Sequence, residues 1–259
     1  MARPHPLPHA AAPTAAAHAV IDSMFTTYPG STARKQQNRT LEKLSLARLF
    51  RKEADRTLAL DPNNLDAHEA LARFYWYGPS IVGGDKTNAR HMIDEFIILD
   101  STRGFALKAE LDATNSDKTK DLAAVLDDWK QAAAAALGSY TAHVGLSAFL
   151  VNLDNDKLKW AEDEAKRALA INPSRIAPYR LLAEIYVLTG QWEKLDAFLK
   201  RAQIAVPDDL SPDFTAAQTI IDCNIQLQFA RAEAYLRNYL SQPVEGLEPT
   251  MAVAHWRLG

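Results

Sequence analysis

Residues 142–175 read AHVGLSAFLVNLDNDKLKWAEDEAKRALAINPSR, and residues 176–209 read IAPYRLLAEIYVLTGQWEKLDAFLKRAQIAVPDD. Laid one beneath the other, they put Ala148 on Leu182, Ala161 on Leu195, Ala168 on Ala202 and Pro173 on Pro207, each pair 34 residues apart. A fixed period of this length marks a repeat architecture, in which no unit buries its apolar side alone and each stacks on a neighbour. Apolar residues within each copy recur at spacings of three and four, the period of a helix face. Each copy is therefore a pair of short helices. Gly190 permits the tight turn inside the second pair, and Pro207 keeps its second helix from continuing. Ala161, Ala168, Ala183 and Ala202 let neighbouring helices approach closely, while Tyr179, Leu182 and Tyr186 fill the space between them.

Tyr179, Leu182, Ala183, Tyr186, Gly190, Ala202 and Pro207 together resemble the pattern of the tetratricopeptide-repeat family. The resemblance implies an all-α fold, a right-handed α-solenoid of stacked antiparallel helix pairs. Leu195 departs from it, standing where the family prefers alanine, and implies a slightly wider helix spacing in that pair.

Carried towards the N-terminus, the register survives with insertions. Pro62 precedes Pro173 by 111 residues, three repeats and nine surplus residues. Five are expected in the loop GPSIVGGD and two each near 101–104 and 137–141. Helix pairs are predicted at 41–60 (second helix only), 65–99, 102–136, 140–172, 175–206 and 212–241. Leu41, Leu44, Ala47, Phe50, Ala54 and Leu58 supply the first apolar stripe. No stretch alternates with period two over strand length. The lengthened loop GPSIVGGDKTNA resembles that of bacterial members of the family. Residues 31–259 thus form a solenoid of five to six pairs, the last incomplete. Leu258 and Gly259 fall on the leucine and small-residue positions of a new first helix, with Trp256 near its aromatic position. The expectation is that the chain is cut within a repeat and that this segment packs weakly.

Residues 1–30 differ in kind. They hold five of the 13 prolines and three of the seven histidines, which suits a disordered tail. Arg3 and the small-residue pattern at Ala17 and Ala19 leave a degenerate export signal as the alternative. The compartment is accordingly open between cytoplasm and periplasm. His5, His9 and His18 lack cysteine or carboxylate companions for a metal.

Composition narrows the function. A net charge of −3, with basic residues scattered among acids, leaves no electrostatic footprint for nucleic acid. Cys223 is the only cysteine, so no intramolecular disulfide forms, and no apolar run is long enough to span a bilayer. Three fragments resemble catalytic motifs and fail. In GPSIVGGDKT the glycines Gly78 and Gly83 suit a phosphate loop, but the lysine arrives only at Lys86. There Gly83 and Gly84 are expected to adopt positive φ and Asp85 to cap the next helix. At His68, HEALA has Ala72 in place of the second histidine, and Ser147 in GLSAF lacks the closing glycine and the feeding strand. No enzyme activity, cofactor or metal site is expected.

What remains is surface chemistry. In the family the first helices line a concave groove, and the resemblance implies groove positions at Asp66, Glu69, Arg73, Trp76 and Tyr77, at His143, Ser147 and Leu150, and at Arg180, Glu184 and Leu188. Arg73 and Arg180 suit a carboxylate. Trp76 and Tyr77 either clasp an apolar side chain or cover the long turn. The lysine and asparagine arrangement of the family's chaperone-tail clamp is missing. The expected function is a non-catalytic scaffold or adaptor holding a protein or peptide segment. The alternative is a small-molecule or lipid-binding solenoid of a transport or cell-envelope system.

Overall fold

The structure is a computed structural model. It describes residues 33–114, 121–242 and 251–258, and the tail call at 1–30 lies outside them, as does Gly259. All regular structure among the described residues is helical. The chain divides into two compact units, Met1–Asp121 and Leu122–Gly259.

The first unit holds α1 (Ala33–Leu60), α2 (Leu65–Tyr77), α3 (Lys86–Leu99) and α4 (Ser101–Ala113). Each later helix starts on a side-chain cap, as expected at Asp85. Asn64 accepts from the Ala67 amide at 3.0 Å, Asp85 from Thr87 at 2.8 Å, and Asp100 from Arg103 at 3.0 Å. The core joins Leu71, Phe74, Ile93, Phe96 and Leu111, with Phe50 and Leu58 of α1 packed on it. In the long α2–α3 turn, Gly83 has φ 99°, as expected. Gly84 does not have positive φ; it is needed for close approach, because a Cβ there would lie 1.7 Å from the Gly78 carbonyl oxygen.

The second unit holds α5 (Leu122–Ala135), α6 (Tyr140–Leu153), α7 (Leu158–Ile171), α8 (Ala177–Leu188), α9 (Trp192–Ala205), α10 (Ser211–Asp222), α11 (Phe229–Tyr239) and α12 (Met251–Leu258). Helices α6 with α7, α8 with α9, and α10 with α11 form antiparallel hairpins, and α8 packs on α7 and α10. Leu146, Leu150, Leu182, Ile185, Tyr186 and Leu195 are fully buried. Helix α8 ends in a Schellman motif around Gly190, φ 65°, with Gln191 N–H bonding the Tyr186 carbonyl and Gly190 N–H that of Val187. Asn224, φ 51°, closes α10 in the same way. Gly145 lets α5 settle on α6: a Cβ at that position would meet the Trp129 ring at 2.1 Å.

Between α6–α7 and α8–α9 the 34-residue period holds for the second helices and fails for the first. Ala161 and Leu195 match, as do Ala165 and Leu199, all buried. On the first helices the buried set His143, Leu146, Ser147 and Leu150 corresponds to Tyr179, Leu182, Ala183 and Tyr186 at an offset of 36. Leu182 therefore answers to Leu146 and not to Ala148. The two extra residues sit in the α6–α7 bend, which is a 3-10 turn at Asn155–Lys157. A second such turn, Gln226–Gln228, stands between α10 and α11.

Candidate interaction surface

In the first unit the expected groove residues of α2 are engaged with their own unit. Arg73 forks between Glu69 of the same helix, at 3.1 Å, and Glu110 of α4, at 2.5 Å. Arg103 of α4 returns the contact, reaching Asp66 at 2.8 Å and Glu69 at 2.7 Å. Burial pushes Glu69 upward, but Arg103 and Arg73 outweigh it and hold the carboxyl below its ordinary value. Burial works against the Arg73 charge too, and Glu110 and Glu69 raise its affinity for the proton above the ordinary value. Tyr77 shares a hydrogen bond with Thr114, Oη to Oγ1 at 3.3 Å. Trp76 is only 7% exposed, with Lys86 Nζ and Arg90 Cζ of α3 each 5.0 Å from its ring centroid. The open cleft beside it is lined by Lys86, Thr87, Arg90, His91 and Asp94.

In the second unit the structure corrects the reading of α6. His143, Ser147 and Leu150, expected on an exposed groove, are interior, at 1%, 0% and 0% exposure. A helix read one residue out of register is turned by about 100°, enough to bring core positions to the supposed outer face. The side chains that flank the core on α6 are Val144, Ala148 and Val151, all half-buried. His143 has acceptors at both ring nitrogens: Glu164 Oε2 lies 2.6 Å from Nδ1 and the Leu137 carbonyl 3.0 Å from Nε2. Glu164 also accepts from Trp160 Nε1 at 3.0 Å and Arg167 at 2.9 Å. The bond back to a carbonyl six residues earlier recurs at the same position of other first helices. His68 Nε2 lies 2.8 Å from the Pro62 carbonyl, and Tyr179 Oη donates to that of Pro173 at 2.9 Å. These polar aromatic side chains tie each first helix to the loop that precedes it.

Arg180 and Glu184 remain on a surface. Arg180 is exposed, and its Nε donates to Thr215 Oγ1 of α10 at 3.4 Å. Glu184, one turn further along α8, is half-buried. Burial pushes its carboxyl above the ordinary range, and the Arg180 charge opposes that shift. Thr215 and Thr219 stand on α10 beside the positions that correspond to Arg180 and Glu184, which are Phe214 and Gln218, and Val144 and Ala148 are the corresponding positions on α6. Sequence reading missed Thr215, Thr219, Val144 and Ala148. Their signal is the spacing of four residues on each helix, which becomes legible only once the offsets of 36 from α6 to α8 and 34 from α8 to α10 are known. Leu188 is half-buried at the end of the α8 row.

No family profile and no curated protein matches the chain. Among solved structures it is similar to yeast Tom70, at 15% identity and a TM-score of 0.56, over 92% of this chain and 55% of that one. The fold is tetratricopeptide-repeat-like. The chain thus spans about half the length of the Tom70 chain. It is also similar to Pseudomonas aeruginosa PilF, at 13% identity and a TM-score of 0.47, over 88% of this chain and 93% of that one. No helix among the described residues is long and apolar enough to cross a membrane.

Proposed function

We propose that the chain is a non-catalytic adaptor and that the row formed by α6, α8 and α10 holds a segment of a protein partner. A protein-interaction scaffold is the role that the tetratricopeptide-repeat-like fold suggests. The observation that carries the finer reading is the contrast between the units. On α2 and α4 the charged residues Asp66, Glu69, Arg73, Arg103 and Glu110 neutralise one another, whereas on α8 Glu184 has no hydrogen bond or ion pair among the described residues. Arg180, Glu184 and Leu188 therefore carry the contact in this reading, and Arg73, Trp76 and Tyr77 brace the first unit. The lipid-binding alternative leaned on the aromatic pair and the long turn. The charged lining beside Trp76 lends it no support, since a lipid site is predominantly apolar.

Site-specific photo-crosslinking tests the proposal. A photoreactive residue at Leu188 or Thr215 should form protein adducts in cells, while one at Ile204, exposed on α9, should not. Adducts at Ile204 alone would move the site off this row.

A further inference from the structure

Several buried or half-buried carboxylates among the described residues are furnished with cations. Glu69 has Arg73 and Arg103, Glu162 has Lys166 and Lys194, and Glu164 has Arg167. Buried Asp213 has the Asn238 amide instead. Glu184 has neither a hydrogen bond nor an ion pair among the described residues. Its neighbour Arg180 stands four residues away on the same helix, the spacing of an ion pair, yet turns to Thr215 instead. A carboxylate that loses water without gaining a donor costs free energy, which is recovered when a donor arrives from outside.

The surroundings define that donor. On α6, 36 residues earlier, Val144 and Ala148 correspond to Arg180 and Glu184, and on α10, 34 residues later, Phe214 and Gln218 do, with Thr215 and Thr219 beside them. None of these side chains carries a charge. A neutral peptide offers only uncharged donors, whose bonds to a carboxylate are weaker, and an acidic side chain would be repelled by it. A lysine or arginine would pair with it in a site partly shielded from water, where charge-assisted bonds are strongest.

We propose that Glu184 is the anchor for a basic side chain of the partner segment, so that this face selects segments carrying lysine or arginine among apolar residues. The assignment rests on the segment-binding reading above. Arg180, held by Thr215, then guards the neighbouring position against a second basic residue and favours an acidic or neutral one there.

A display library of random peptides about a dozen residues long, selected on the full chain near neutral pH, tests this. Basic residues should be enriched on the wild type and not on Glu184→Gln, whose melting curve should show that it is folded. For one selected peptide, replacing its lysine by norleucine should raise Kd about tenfold or more on the wild type and leave it unchanged on Glu184→Gln, the coupling expected of a direct pair. Lysine-dependent affinity should also fade on acidification as the carboxyl takes up its proton, with no such fading in the variant. Enrichment without basic residues, or equal loss with norleucine on both proteins, overturns the anchor and leaves segment binding standing. If no peptide is enriched, or if hydrogen-exchange footprints of the selected ones fall off α6, α8 and α10, the segment-binding reading fails and the anchor with it.

Discussion

Lys194 of α9 places its ammonium 2.6 Å from Glu162 of α7 and 4.2 Å from the centre of the Tyr186 ring on α8. One side chain thus links three helices of the second unit. Lys194 therefore acts as a clasp. Because the lysine is 40% exposed, water screens the ion pair, and Lys194→Ala should cost only about 1 kcal/mol, shared between the pair and the ring contact. Urea midpoints at low and high salt check this. The ion-pair share should shrink in salt, and Lys194→Met, which keeps some contact with the ring, should lose less.

Arg73 was expected to meet a partner's carboxylate, and it stands instead between Glu69 and Glu110 of its own unit. Arg73→Glu sets four carboxylates, the new one with Asp66, Glu69 and Glu110, against Arg103 alone. Because Glu110 and Arg103 are partly exposed, breaking this arrangement should cost about 2–3 kcal/mol, below the range of a fully buried pair. Denaturant unfolding should show the loss, and hydrogen exchange should place it in α2 and α4. Because Glu69 is held below its ordinary value, its contribution is present near neutral pH and is lost as pH falls towards its folded pKa.

Asp213 gives the opposite pH dependence. It is buried on α10, with Asn238 Nδ2 donating at 2.9 Å. Burial lifts its carboxyl to about 6 from an ordinary 3.8, against the smaller effects of Asn238 and its own backbone. The folded state then binds the proton more tightly than the unfolded chain. Its stabilising effect is complete below the ordinary value and is lost as pH rises through about 6. The difference is on the order of 3 kcal/mol. Asp213→Asn should raise the urea midpoint near neutral pH and flatten its decline between mildly acidic and neutral solution. An unchanged pH profile would show that the carboxyl is solvated.

Leu182 is fully buried on α8, as are Ala183 and Tyr186 further along the same helix. Leu182→Ala should cost about 2–5 kcal/mol through lost burial and a residual cavity, read as a lower melting temperature. A melting curve identical to that of the wild type would contradict the placement of α8 in the core.

The second helices were legible because alanines at Ala161, Ala165 and Ala168 repeat with the period that close packing demands. The glycine turn at Gly190 and the cap at Asp85 were legible for equally local reasons. Helix α6 was not. Its core side includes His143 and Ser147, residue types that a sequence reading places outside. They are inside because each finds a partner that no local pattern announces: Glu164, 21 residues on, and the Ala161 carbonyl, 14 residues on. The α2–α4 ion pairs are hidden in the same way, joining residues 34 and 37 apart. The candidate surface inherited both gaps, gaining three interior residues on α6 and treating Arg73 as available.

The indole of Trp129 rests where Gly145 leaves no side chain, and that arrangement turns the α5–α6 seam into an optical reporter. Trp76, Trp129, Trp160, Trp192 and Trp256 stand on five different helices. Trp129 is 7% exposed and Trp256 76%, so the first should emit to the blue of the second. Forcing the indole outward with Gly145→Ala should shift the Trp129 emission to the red. Variants retaining a single tryptophan would then let the loosening of individual seams be followed by fluorescence, without any attached dye.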